Sequence, residues 1–136
     1  MRSTPILFFG LMASLGAAEV PRFEADVLPV LYRHCFSCHS EKQPKPKGGL
    51  RLDSAQGIDD GGVVVPGMPD ASELLRRVSL PHTDPDVMPP LKGGAQPLSD
   101  GERATLRAWI VAGASMGGWG KFEHRDGPSG RGQADR

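Results

Sequence analysis

Five consecutive residues constrain this chain more than any others: Cys35-Phe36-Ser37-Cys38-His39. The two cysteines are the only ones among 136 residues. Their spacing on a helical or turn-like backbone turns both thiols to one side. There they can form thioether links to the two vinyl groups of one porphyrin. The imidazole of His39, next in the chain, then reaches the iron from below. C-x-x-C-H is the spacing of c-type haem attachment. Cys35, Cys38 and His39 are therefore the predicted cofactor-binding residues, and one covalent haem c is the predicted cofactor. Two other uses of such a pair compete. A redox disulfide of the thioredoxin type expects a surrounding βαβ pattern, and none is visible. A structural zinc site asks for about four protein ligands, and no second ligand pair at finger-like spacing follows.

The length suits one domain. Lys plus Arg equals Asp plus Glu at 16 each, so net charge points neither to nucleic acid nor to an anionic membrane. Gly (18) and Pro (13) are abundant, which predicts a small core with long irregular connections. A small core gains from a large planar apolar cofactor, because small domains bury a lower fraction of their surface. At the N-terminus, Arg2, an apolar run over Ile6–Leu15 and the small residues Gly16-Ala17-Ala18 predict a signal peptide over 1–18, cleaved after Ala18. The run is shorter than the roughly 20 residues of a spanning helix, so membrane attachment is expected only if that segment is retained. The predicted location is the periplasm, where thioether attachment takes place in bacteria.

Along residues 19–116, the predicted domain, Phe23, Val27, Val30 and Leu31 form one apolar stripe of a helix over 23–34. Pro29 forces that helix to start near Leu28 or to kink. Residues 40–50 are a Pro/Gly loop in which Lys42, Lys45 and Lys47 read as solvated rather than as a docking patch. Leu50 and Leu52 are expected to face inward, and Arg51 either pairs with a haem propionate or is an ordinary surface residue. Asp70 is expected to cap a short helix over 71–78, with Glu73 at the capping-box position and Leu74, Leu75 and Val78 buried. Five prolines exclude a helix from 81 to 97. Ser99-Asp100-Gly101-Glu102 is a capping box and opens the clearest helix, ending near Gly113, with Leu106, Trp109 and Ile110 on one face. The Gly-rich, charged segment 117–136 is predicted to be a disordered tail, the alternative being that Trp119 and Phe122 fold back over the haem edge.

These segments, in this order, resemble class I cytochromes c, and more narrowly the planctomycete-type cytochrome c domain. The resemblance runs through Phe23–Leu31, Cys35–His39, Lys47–Asp53, Pro66-Gly67 with Ser72–Arg77, Met88-Pro89-Pro90, and Leu106–Ala114. It implies an all-α, cytochrome c-like fold of short helices around one haem, joined by long Pro/Gly-rich loops. It also implies that the first and last helices cross behind Cys35–His39, with Ala112 and Gly113 small enough for close approach, and that iron is ligated by His39 and Met88. Locally, Pro89 pushes Met88 toward an extended backbone. Met68 also precedes a proline, however, and His82 and His124 offer imidazoles; the resemblance alone selects Met88. The implied function is periplasmic one-electron transfer with redox proteins as partners, by a monomer that is not an enzyme. A haem enzyme or gas-binding sensor module is the alternative, and it requires an open iron position. A disulfide oxidoreductase without haem is the second rival.

Overall fold

The structure, a computed structural model, describes residues 19–124. The predicted signal peptide over 1–18 and the end of the predicted tail, 125–136, lie outside them. Among the described residues the chain forms helices and turns and no strand, as expected of an all-α protein.

Pro29 decides how the first helix is wound. The α-helix α1 spans Leu28–His34 with Pro29 in its first turn, where backbone donors have no intrahelical acceptor and a missing N–H costs little. The preceding Phe23–Val27 winds as a π-turn, closed by Leu28 N–H donating to the Phe23 carbonyl. Both alternatives raised by the proline are thus realised together. The apolar stripe runs through the join: Phe23, Val27, Leu28, Val30 and Leu31 are all buried.

Ser54 starts a helix that sequence patterning did not reveal, α2, over Ala55–Gly61. The Ser54 hydroxyl accepts the Gly57 N–H at 2.9 Å. Gly57 is required there, because a Cβ would stand 2.7 Å from the Arg51 carbonyl oxygen. Helix α3 covers Glu73–Val78 and buries Leu74, Leu75 and Val78 as predicted. Its start differs from expectation. Asp70 lies in a 3-10 turn, Pro69–Ala71, and its carboxylate pairs with Arg107 at 3.2 Å instead of capping a helix. Ser72 precedes the helix, but its buried hydroxyl accepts Val65 N–H and donates to the Met68 carbonyl, each at 2.9 Å. The loop before α3 has taken that side chain for itself. From 81 to 97 no helix forms, as the prolines require.

The last helix, α4, spans Asp100–Val111 behind a complete capping box between Ser99 and Glu102. Its buried face, Leu106, Trp109 and Ile110, meets the π-turn, with the Trp109 and Phe23 rings 5.5 Å apart. The expected close approach at Ala112 and Gly113 does not occur. Ala112 is exposed, and a Cβ on Gly113 would meet nothing within 4 Å. Gly113 instead ends the helix at φ 106°, a backbone conformation that glycine adopts at no steric cost.

The expected disorder of the C-terminal segment is corrected for 117–124. Trp119 packs on Phe23 with ring centroids 4.7 Å apart. Phe122 packs on Phe36 at 5.3 Å and on Tyr32 at 5.2 Å. Ala55 N–H donates to the Gly120 carbonyl, and Phe122 N–H to that of Asp53. Glycine content predicted disorder, but the aromatics between the glycines find buried partners far away in sequence, and that burial outweighs the entropy of ordering.

Candidate cofactor site

Helix α1 ends at Cys35, whose N–H still donates to the Leu31 carbonyl at 2.8 Å. A further turn follows, in which the N–H groups of Cys38 and His39 both donate to the Cys35 carbonyl, at 3.2 and 2.9 Å. That turn brings Cys35, Cys38 and His39 to the wall of one cavity of about 950 Å³. Phe36, between the cysteines, does not line the cavity and is buried on its other side. Two later segments brace the motif. Lys47 N–H donates to the Cys38 carbonyl at 3.0 Å, and Leu52 N–H to that of His39 at 2.9 Å.

Leu50, Leu52, Val63, Leu74 and Val78 supply apolar walls, and Met88 stands among the lining residues. A single backbone hydrogen bond anchors Met88, from its N–H to the Arg77 carbonyl at 3.1 Å. All four predicted site residues therefore share one cavity. The rivals for the Met88 role do not reach it. Met68 is 57 % exposed, His82 is exposed, and His124 is bonded to Asp53 at 2.7 Å; none of the three lines the cavity. His34 does line it, but its Nε2 is held by Glu102 at 3.0 Å.

Cations at the lining are Arg33, Lys47, Arg77 and Lys92. Arg51, considered above for a propionate, is exposed and does not take part. Glu73 is drawn onto Arg76 and Arg77 at 2.7 Å, and hydrogen bonds from those two side chains lower its pKa to about 2. Burial works against ionised Glu102, but hydrogen bonds from Ser99 N–H and His34, with the charges of His34 and Arg33, together hold its carboxyl below the usual range. Burial and the neighbouring Cys38 push the Cys35 thiol up to about 12.

These residues fit a haem. Two thiols, an imidazole and a thioether line one cavity, whose volume is in the usual cofactor-pocket range of roughly 300–1,000 Å³. The Nδ1 of His39 is buried and has no hydrogen-bond partner, so among the described residues the fold makes no use of this imidazole. Elsewhere, ligand-type atoms of Glu41, Asp53 and His124 lie within 4.8 Å of one another. There the imidazole and the buried carboxylate are already bonded to each other, so the group acts as a clasp.

His34–Glu102 and Asp53–His124 escaped sequence reasoning. Glu102 was legible as a cap, but nothing local announces a partner 68 positions away. Residues 35–92 match the family model described as Planctomycete cytochrome C. No curated protein and no solved structure matches the chain.

Proposed function

We propose that this chain is an exported c-type cytochrome that carries single electrons through one covalently bound haem. The observation that carries the proposal is the convergence of Cys35, Cys38, His39 and Met88 on one apolar-walled cavity. The match over 35–92 supports the same chemistry. Cys35 and Cys38 would hold the haem through thioethers, with His39 and Met88 as the iron ligands in a cytochrome c-like arrangement. When bound, the haem would supply a one-electron ferric/ferrous couple, and ligation by the Met88 thioether together with the His39 imidazole would raise its potential.

The chain's own part is to position and to exclude water. Helix α1 and the Lys47 and Leu52 hydrogen bonds fix the motif, while Leu74 and Val78 of α3 wall the cavity beside Met88. With His39 and Met88 both as ligands the iron would offer no place to a substrate, so substrate chemistry is not part of the proposal. Arg2, the apolar run and Gly16-Ala17-Ala18 support export to the periplasm. The test is the mass and the reduced-minus-oxidised optical spectrum of the exported protein. A covalent haem adduct with a sulfur-to-iron charge-transfer band is expected. An unmodified mass would leave the disulfide oxidoreductase. A haem protein that lacks the band and binds carbon monoxide readily would be the enzyme or sensor.

A further inference from the structure

We infer that the C-terminal segment 117–124 is a positioning element for the haem-binding motif. Phe122 and His124 brace the motif from behind and tune its reduction potential, whereas Trp119 of the same segment supports only the fold. The inference rests on the haem reading above. None of these three residues lines the cavity, so each acts through others.

The contacts divide cleanly. Phe36, which stands between the two attachment cysteines, packs against Phe122 at 5.3 Å and His124 at 5.9 Å, both edge-on. His124 Nε2 donates to Asp53 Oδ2 at 2.7 Å. That oxygen also accepts the Glu41 N–H at 2.8 Å, just beyond His39 in the chain. Phe122 N–H donates to the Asp53 carbonyl at 2.8 Å, and the adjacent Leu52 N–H donates to the His39 carbonyl at 2.9 Å. The peptide at Leu52-Asp53 is thus held between the iron-ligating residue and the C-terminal segment. Trp119, by contrast, stacks on Phe23 at 4.7 Å, at the start of the chain's first helical turn and away from the motif.

Loss of a hydrogen-bond donor to a buried carboxylate gives the direction of the effect. Among the described residues, the His124 ring is the only side chain bonded to the Asp53 carboxylate, and the two side chains are 8 % and 4 % exposed. Without the imidazole, a buried carboxylate keeps only the Glu41 N–H. Negative charge in a low-dielectric surrounding favours the more positive ferric state, and water admitted behind Phe36 favours it further.

The experiment uses the haem-loaded full chain, with potential, charge-transfer band and melting temperature measured together. His124→Leu is expected to shift the ferric/ferrous ratio at fixed potential about tenfold toward ferric, which is about 59 mV for one electron. His124→Gln, whose amide N–H can replace the Nε2 donor, is expected to recover at least half of that shift. Phe122→Leu is expected to move the ratio the same way by about threefold, and it carries the comparison if His124→Leu does not accumulate with haem. Trp119→Ala should lower the melting temperature and leave the ratio within about twofold of wild type. The inference is overturned if neither His124→Leu nor Phe122→Leu moves the ratio beyond twofold, or if Trp119→Ala moves it as far as they do. A wild-type protein without the covalent adduct, detected by mass alone, would defeat the haem reading and this inference with it.

Discussion

Two parts of the cavity's lining are built by different means. On the motif side, hydrogen bonds from Lys47 and Leu52, the Phe36 aromatic cluster and the Asp53–His124 clasp brace Cys35–His39 from several directions. On the methionine side, Met88 hangs from one hydrogen bond to Arg77. Among the described residues, no hydrogen bond reaches the stretch 89–97 that follows it. The first wall is made by the polypeptide. The second is stiffened mainly by its prolines and, under the proposed function, by a bond to something in the cavity.

The largest test removes that something. The double variant Cys35→Ser, Cys38→Ser is expected to lose most of its cooperative thermal transition, because ligand binding and folding are coupled in small metal-dependent domains. Amides from 91 to 96 should exchange fastest, as befits the segment that no hydrogen bond holds among the described residues. A sharp transition near the wild-type temperature would mean that the methionine wall holds itself, and the contrast would vanish.

Cutting the chain after Gly117 attacks the other wall. It strips Trp119 and Phe122 from their aromatic partners and leaves Asp53 without His124. A loss of about 3 kcal/mol is expected, in line with truncated core aromatics, read as a lowered denaturant midpoint. An unchanged midpoint would make the motif wall self-sufficient. Met88→Ala comes next, at about 2 kcal/mol for a half-buried methionine. The charge-transfer band should disappear, the potential should fall, and carbon monoxide should gain access to the iron. Met68→Leu should do none of this; a band that survives the first variant and vanishes in the second would move the ligand to Met68.

Smaller effects sharpen the picture. Ser99→Ala, which removes the cap of α4, should cost about 1 kcal/mol without altering the optical spectrum. Glu73 has the smallest role. Its pKa is depressed in the folded chain to about 2, so its contribution is present above the ordinary carboxylate range and is lost as pH falls toward that value. Glu73→Gln should therefore flatten the acid limb of melting temperature against pH, slightly, because the pair is exposed. An acid limb identical to wild type would show that Glu73 adds nothing to α3, the helix whose Arg77 carbonyl anchors Met88.

The same division explains what could be read without coordinates. The motif is five contiguous residues whose chemistry depends on spacing, and α4 announces itself through Ser99, Glu102 and a regular apolar face. Met88 and Met68 carry the same local signal, a methionine before a proline, so only resemblance separated them. What distinguishes them physically is that one lines the cavity and the other is in solvent, a property of tertiary packing. Helix α2 was hidden because Ile58 is its one buried residue, too little for a period. Segment 117–124 misled for a related reason. Its glycines dominate any compositional window, while Trp119, Phe122 and His124 follow neither a helical nor a strand repeat and show their purpose only against Phe23, Phe36 and Asp53.

Glu102 has a consequence of a different kind. One of its carboxylate oxygens accepts both the Ser99 N–H, closing the capping box, and the His34 ring, one residue before the first cysteine; the other oxygen meets Arg33 at 2.9 Å. The start of the last helix and the end of the first are therefore written into a single side chain. Substitutions at Ser99 and at His34 lie far apart in sequence, yet their costs should not add, because each alters the geometry that the other relies on. Over evolutionary time such a shared carboxylate ties three positions into one unit: a drift at either end is tolerated only if Glu102 can still serve the other.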